Sequence, residues 1–269
     1  MMREGMAPPD EDARLLCAAV REAGALALDY FRRGLEVRRW EKNPGDPVSD
    51  ADMAVDRLLQ ERLTKARPDY GWLSEETPDD GARIGRNKLW VVDPIDGTRA
   101  FLAGRPQFTV CAALVAGDAA VAAAVYNPAS DEFFEAVAGG GARCNGQPIR
   151  TSRHEGLAGA SLLASKRTFE QRDWAKSLPG ARFTDMNSIA YRMVKAAAGA
   201  YDAAVSTSPK RDWDIAAADL IVREAGGACT TMAGALFRYN RPEALHPSVL
   251  AAGPALHAAL CDLLRPGSA

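Results

Sequence analysis

The sequence predicts a mixed fold, α+β in its first half and alternating α/β in its second, on three observations. Long apolar faces at helical spacing run through residues 11–33 and 49–66; apolar strand-like runs separated by tight turns fill 107–138; and beyond about residue 149 strand and helix patterns alternate. No repeat, low-complexity tract or flexible linker interrupts the chain. The reading is therefore two packed subdomains, residues 1–148 and 149–269, that share one interface, with the active site between them.

Each element follows from local chemistry. Residues 11–33 set Leu15, Leu16, Ala19, Val20, Ala23 and Ala27 on one face, with Glu11 and Asp12 in the first turn and Arg32, Arg33 and Gly34 at the end. "LEVRRW" (35–40) alternates as a strand does, and "EKNPGDPV" (41–48) reads as a Pro/Gly loop. "SDADMAVDRLLQERLTKA" (49–66) is a second helix with Val55, Leu58, Leu59 and Leu63 on one face. A short strand, "YGWLS", leads into the acidic loop "EETPDDGAR", and a longer one runs into "LWVVDPIDGTRAF" at 89–101. Strands at 107–116, 119–126 and 132–138, turned by "AGD" and "NPAS", form an antiparallel meander, and "GGGARCNG" is a hairpin turn. The second half holds a strand at 161–164, a helix at 187–198, a strand at 201–206 and a helix at 213–225 stopped by "GG".

Composition removes several function classes. Thirty-three Lys plus Arg against 35 Asp plus Glu leaves a net charge of −2, so no global field recommends a nucleic acid polymer or an anionic membrane. The longest apolar run, Ala119–Tyr126, is too short to span a bilayer, and the polar N-terminus lacks the apolar core of a signal peptide, which points to the cytoplasm. Five scattered cysteines with no CxxC pair argue against both a disulfide framework and a zinc site.

The chemistry gathers at Asp93 and Asp96, which end an apolar strand just before Gly97 turns the chain. Such a turn can aim two carboxylates at one point, the oxygen-ligand arrangement that Mg²⁺ favours, while the Ile95 carbonyl adds a neutral ligand. The N–H groups of Gly97 and Thr98 are then placed to bind phosphate oxygens. Taken singly, Glu75 and Glu76 fit a solvated loop, Asp214 a helix N-cap and Asp52 the S-x-x-D capping box begun by Ser49. With Asp93 and Asp96, the Glu75, Glu76 and Asp214 carboxylates are together the ingredients of a metal cluster.

"SEE" (74–76), "WVVDPIDGT" (90–98) and "WDIAAADLIVREAGG" (213–227), in this order and separation, resemble the signatures of the inositol monophosphatase family. The similarity extends through the "SDADMAVD" helix and "GGGARCNGQPIR" to nearly the whole chain. It implies a layered αβαβα sandwich, shared in type with the fructose-1,6-bisphosphatases. It also implies Mg²⁺-dependent hydrolysis of small phosphate monoesters with two or three ions per site, inhibition by Li⁺, and a homodimer. By position, Glu75, Asp93, the Ile95 carbonyl, Asp96 and Asp214 resemble the family's metal ligands, and Thr98 with Asp52 its threonine and orienting aspartate. Direct attack by a metal-activated water follows, with Glu75 and Thr98 accepting its proton. Lys42 resembles the family's loop lysine near the phosphate.

Rival readings fail on spacing. A haloacid-dehalogenase-type site needs its aspartates two apart, whereas Asp93 and Asp96 are three apart; "DPIDGTRAFLAG" lacks an EF-hand's alternating ligands, and "GGGARCNG" lacks the lysine of a P-loop. A catalytically silent regulatory relative would lack a ligand, and none is missing. The substrate is read from departures. Ser206 stands where the inositol enzymes carry a glutamate, and Asn187 and Ser188 replace their "GT". "ASKRTF" (164–169) resembles a basic segment of the bacterial 3'(2'),5'-bisphosphate nucleotidases. Lys166, Arg167, Lys210 and Arg211 would then form a second anion site for 3'-phosphoadenosine 5'-phosphate, with inositol 1-phosphate as the alternative substrate.

Overall fold

A computed structural model describes residues 9–34 and 37–265. The first half runs α1 (Pro9–Arg33), β1 (Arg39–Asn43), β2 (Asp46–Ser49), α2 (Asp50–Ala66), β3 (Gly71–Ser74), β4 (Lys88–Asp96), α3 (Thr98–Leu102), β5 (Thr109–Ala116), β6 (Ala119–Asn127), β7 (Glu132–Val137), β8 (Ala142–Cys144) and β9 (Gln147–Pro148). The second runs β10 (Ser161–Leu163), α4 (Lys166–Gln171), β11 (Arg182–Thr184), α5 (Ile189–Ala197), β12 (Ala203–Ser206), β13 (Lys210–Arg211), α6 (Asp212–Glu224), β14 (Ala228–Thr230), β15 (Leu245–His246), β16 (Val249–Ala252) and α7 (Pro254–Leu264).

Period-two burial along the strands sets the layers. In the seven-stranded sheet β3-β4-β5-β6-β7-β8-β9, parallel only between β3 and β4, Trp90 and Val92 of β4 pack beneath α1 and α2. Their neighbours Leu89 and Val91 face α5 and α6 on the other side. Those two helices also cover one face of the five-stranded sheet β11-β10-β12-β16-β14, through Ala204, Val249 and Ala251. The opposite face of that sheet, with Ala203, Val205, Leu250 and Ala252, packs on Leu256, Leu260 and Leu264 of α7. The order is helix, sheet, helix, sheet, helix, the αβαβα sandwich expected. The middle helices are buried over most of their length because both their faces meet a sheet.

The sequence reading differs from the structure in places. Residues 41–48, expected as a loop, belong to the antiparallel hairpin β1–β2, whose ladder slips between Glu41 and Asn43. Pro47 is tolerated there because this sheet has only two strands. Of the strand expected at 35–40, Leu35 and Glu36 lie outside the described residues. The "NG" at 145–146 turns β8 into β9 with both residues at positive φ, as a tight hairpin requires. All five cysteines are free thiols, and among the described residues no helix is long and apolar enough to cross a membrane.

Candidate active site

The site begins with an irregularity in β4. Asp93 pairs with Cys111 and Asp96 with Thr109, so three steps on β4 oppose two on β5. Side chains three apart on a regular strand point to opposite faces; the extra residue puts both carboxylates on one side. Pro94, with no N–H to give the ladder, sits in the bulge. Gly97 then turns the chain at φ 97°, and a Cβ there would lie 2.8 Å from the Gln107 carbonyl oxygen, so only glycine fits.

Asp214 joins from the first turn of α6, where its Oδ2 accepts the Arg211 N–H at 2.6 Å; it stands at the third helical position rather than at the cap. Oxygen atoms of Asp93, Asp96 and Asp214 lie within 4.8 Å of one another. Asp96 Oδ2 accepts from Ser188 Oγ and from the Ala190 N–H, both at 2.7 Å. Asp93 is different: both its oxygens are buried and neither has a hydrogen-bond partner in the protein. Burial first, then the charges of Glu75, Asp96 and Asp214, hold its carboxyl well above the usual carboxylate range. Burial and Asp96 likewise push Asp214 up to about 7. Unpartnered carboxylate oxygens facing two more carboxylates fit a hard divalent cation, and the donors are all oxygen.

Asp52 serves two structures at once. Its Oδ2 accepts from the Ser49 N–H at 2.8 Å and the Ser49 hydroxyl at 2.6 Å, completing the capping box of α2, while its Oδ1 lies 3.1 Å from Thr98 Oγ1. Burial raises it to about 6 despite these bonds. The Thr98 hydroxyl is also 3.0 Å from the Ile95 carbonyl, and its single proton serves one acceptor at a time. Glu75 follows β3, and its carboxylate meets Lys42 Nζ at 2.9 Å, as does that of Glu76. Burial acts against the Lys42 charge, but these two carboxylates outweigh it and raise its pKa. Behind them Asp56 accepts the Ser74 hydroxyl and, at 2.8 Å, that of Thr77, fixing the acidic turn.

Most of these groups line one cleft of about 360 Å³, and Asp52 reaches it through Thr98. Glu75, Asp93, Ile95, Asp96, Gly97, Thr98, Asn187, Ser188, Lys210 and Asp214 are on its wall, with Asp46, Pro47, Arg99, Met186 and Arg192, which the sequence did not single out. Lys42 reaches it through Glu75. The other expected residues are elsewhere. Lys166 and Arg167 lie exposed on α4, with Lys166 paired to Glu170. Arg211 alternates with Lys210 on β13 and so points outward, over Trp213. Ser206 is buried at the end of β12, against the Ser208 hydroxyl.

A five-layer αβαβα protein with an oxygen-lined acidic cleft is one class of fold and site. The family model described as "Inositol monophosphatase family" matches residues 9–267. Among curated proteins, the inositol-1-monophosphatase of Rhizobium meliloti is 36% identical over 235 residues, 82% of this chain and 85% of that one. A histidinol-phosphatase of Chlorobaculum parvum is 32% identical, over 81% of this chain and 85% of its own. The crystal structure of the extragenic suppressor protein SuhB of Bartonella henselae superposes with a TM-score of 0.80 at 28% identity, covering 94% of this chain and 98% of that one. The chain belongs to the inositol monophosphatase family and is a phosphatase, a hydrolase of phosphoric monoesters.

Proposed function

We propose that the cleft hydrolyses a small phosphate monoester with Mg²⁺ held by Glu75, Asp93, Asp96, Asp214 and the Ile95 carbonyl. The observation that carries this reading is the pair of buried, unpartnered Asp93 oxygens beside Asp96 and Asp214. When bound, Mg²⁺ supplies Lewis acidity, acidifying a coordinated water and neutralising charge on the departing ester oxygen. The chain's own residues do the rest. Asp52 takes the Thr98 hydroxyl proton as a hydrogen bond, leaving the Thr98 oxygen free to accept from the attacking water. Glu75, on the cleft wall, receives that water's proton, and its tie to Lys42 keeps it in place. The N–H groups of Gly97 and Thr98 hold the phosphate oxygens. Turnover should appear with Mg²⁺ and vanish in EDTA, with solvent oxygen entering the phosphate directly; a trapped phosphoaspartate at Asp93 would refute the scheme.

For the substrate we retain a bisphosphate such as 3'-phosphoadenosine 5'-phosphate, supported by the positive charge of Lys210 on the cleft wall. Inositol 1-phosphate is the second reading, favoured by the name of the Rhizobium relative. The ratio of kcat/KM for the two decides between them. We further expect inhibition by Li⁺, a homodimer, a cytoplasmic location and a cleft shared by the subdomains 1–148 and 149–269.

A further inference from the structure

The basic residues first expected to receive a second anion are, apart from Lys210, on the outside of the molecule. The cleft nevertheless contains another cation. Arg192 lies one turn beyond Ser188 on α5, its N–H bonded to the Ser188 carbonyl at 3.2 Å, so the two side chains share a helix face. Ser188 is the residue that donates to Asp96, and Arg192 lines the same cleft.

Its guanidinium is under-used. One terminal nitrogen donates to the Val205 carbonyl at 3.2 Å, Nε is buried without a partner, and no carboxylate pairs with it among the described residues. Asp96 and Asp185 are the nearby opposite charges, and both act only through space. An arginine has five donors in a rigid fork; this half-buried one makes one bond, and leaving its buried Nε–H without a partner is unfavourable unless a ligand meets the group. A purely structural role, as counter-charge to Asp96, would place the guanidinium on that carboxylate; Asp96 instead takes its bonds from Ser188 and Ala190. The planar fork suits an oxyanion, which it can bind with two parallel hydrogen bonds, better than it suits a sugar hydroxyl. The offset from Ser188 is one helical turn, about 6 Å, the scale of the distance between two phosphates on one sugar ring.

We propose that Arg192 is the specificity-determining residue of the cleft, receiving a second phosphate carried beside the one that is hydrolysed. The inference rests on the phosphatase reading above and refines its substrate class to small molecules with two phosphates.

The test is steady-state kinetics of the wild type, Arg192→Gln and Arg192→Lys on 3'-phosphoadenosine 5'-phosphate and on inositol 1-phosphate, with thermal melts as a folding control. In Arg192→Gln the ratio of kcat/KM for the bisphosphate to that for the monophosphate should fall about tenfold to a hundredfold, through KM rather than kcat. Arg192→Lys, which keeps charge without the fork, should recover part of it, and serves alone if the glutamine variant does not fold. Adenosine 5'-phosphate, which carries only the second phosphate, should lose inhibitory strength in parallel. Equal losses on both substrates, or an unchanged ratio, would overturn the proposal. If the wild type hydrolyses neither substrate with Mg²⁺, the phosphatase reading fails; calorimetric titration with the bisphosphate then decides Arg192 separately, weaker binding in the variants supporting it and equal binding refuting it.

Discussion

Strand β4 carries a buried carboxylate problem at each end and solves it in opposite ways. At its start, Lys88 Nζ meets Asp12 at 2.7 Å, while Arg67 and the Tyr70 hydroxyl complete the shell of that aspartate at 2.7 and 2.8 Å. Burial works to raise Asp12, yet these partners outweigh it and hold the carboxyl below its ordinary value. At the other end, Asp93 has no partner and is held well above it. Both carboxylates are buried, and both lie against the same strand. The difference is that the chain supplies its own cations at one and omits them at the other. A fold able to build the first site has no need to leave the second unneutralised, and the omission fits the proposed cation from outside.

The largest expected effect breaks this contrast directly. Asp93→Asn should lower kcat by about a thousandfold or more, since several kcal/mol of charge stabilisation depend on the bound metal. The same change should leave the protein in EDTA at least as stable, because a buried like charge is removed. Asp12→Asn should do the reverse, destabilising by about 3 kcal/mol by stranding Lys88 and Arg67 while the folded enzyme still turns over. Urea denaturation and steady-state kinetics measure both, and an Asp93→Asn protein that is fully active, or as unstable as Asp12→Asn, would erase the distinction.

Proton linkage sharpens it. Asp214, at about 7 when folded against an ordinary value of 3.8, binds its proton more tightly in the native state. Its contribution to the stability of the metal-free protein is therefore full below about pH 4 and lost as pH rises through 7. Asp52 behaves alike up to about 6. Asp12, with a lowered pKa, contributes above its ordinary value and loses that contribution only in acid. Because Mg²⁺ takes deprotonated carboxylates, the rise in Tm that it causes should grow from pH 5.5 to pH 8. A Mg²⁺ shift that is flat over this range would remove the buried carboxylates from the binding site.

Smaller effects concern the edges of the site. Thr98→Ala should reduce kcat about tenfold to a hundredfold with Mg²⁺-induced stabilisation retained, consistent with a group that handles a proton and does not hold the ion. Lys166→Ala and Arg211→Ala should change kcat/KM on either substrate by less than about twofold, as expected of solvated side chains. A tenfold loss from either would return that residue to the substrate.

How much of this was legible in the sequence follows from how local each signal is. The periodicity of α1 and α2, the capping box at Ser49 and the apolar run of β4 depend on neighbours in the chain, and the structure has all three. The five layers came from the family resemblance, since periodicity does not say which faces meet. The last strands were missed because β14 and β16 are three and four residues long and "VLAA" is buried on both faces, leaving no alternation to read. For Lys166 and Arg211 the charge was visible but the side of the element was not. Arg192 gave no signal at all: a single arginine in an apolar helix is ordinary until a cleft is found beside it.

The α5–α6 layer has a consequence for the order in which the molecule is made. Its apolar residues belong to the same core as the first sheet, although more than 60 residues separate α6 from the end of that sheet. As synthesis proceeds, β4–β9 are finished long before the helices that cover one of their faces. The nascent chain must carry an uncovered sheet face, with Asp93 and Asp96 beside it, until α5 and α6 emerge. Non-local docking of this kind slows folding. It also makes the proposed cation binding a late event, available only to a nearly completed chain, because Asp214 rides on the last helix to enter the centre.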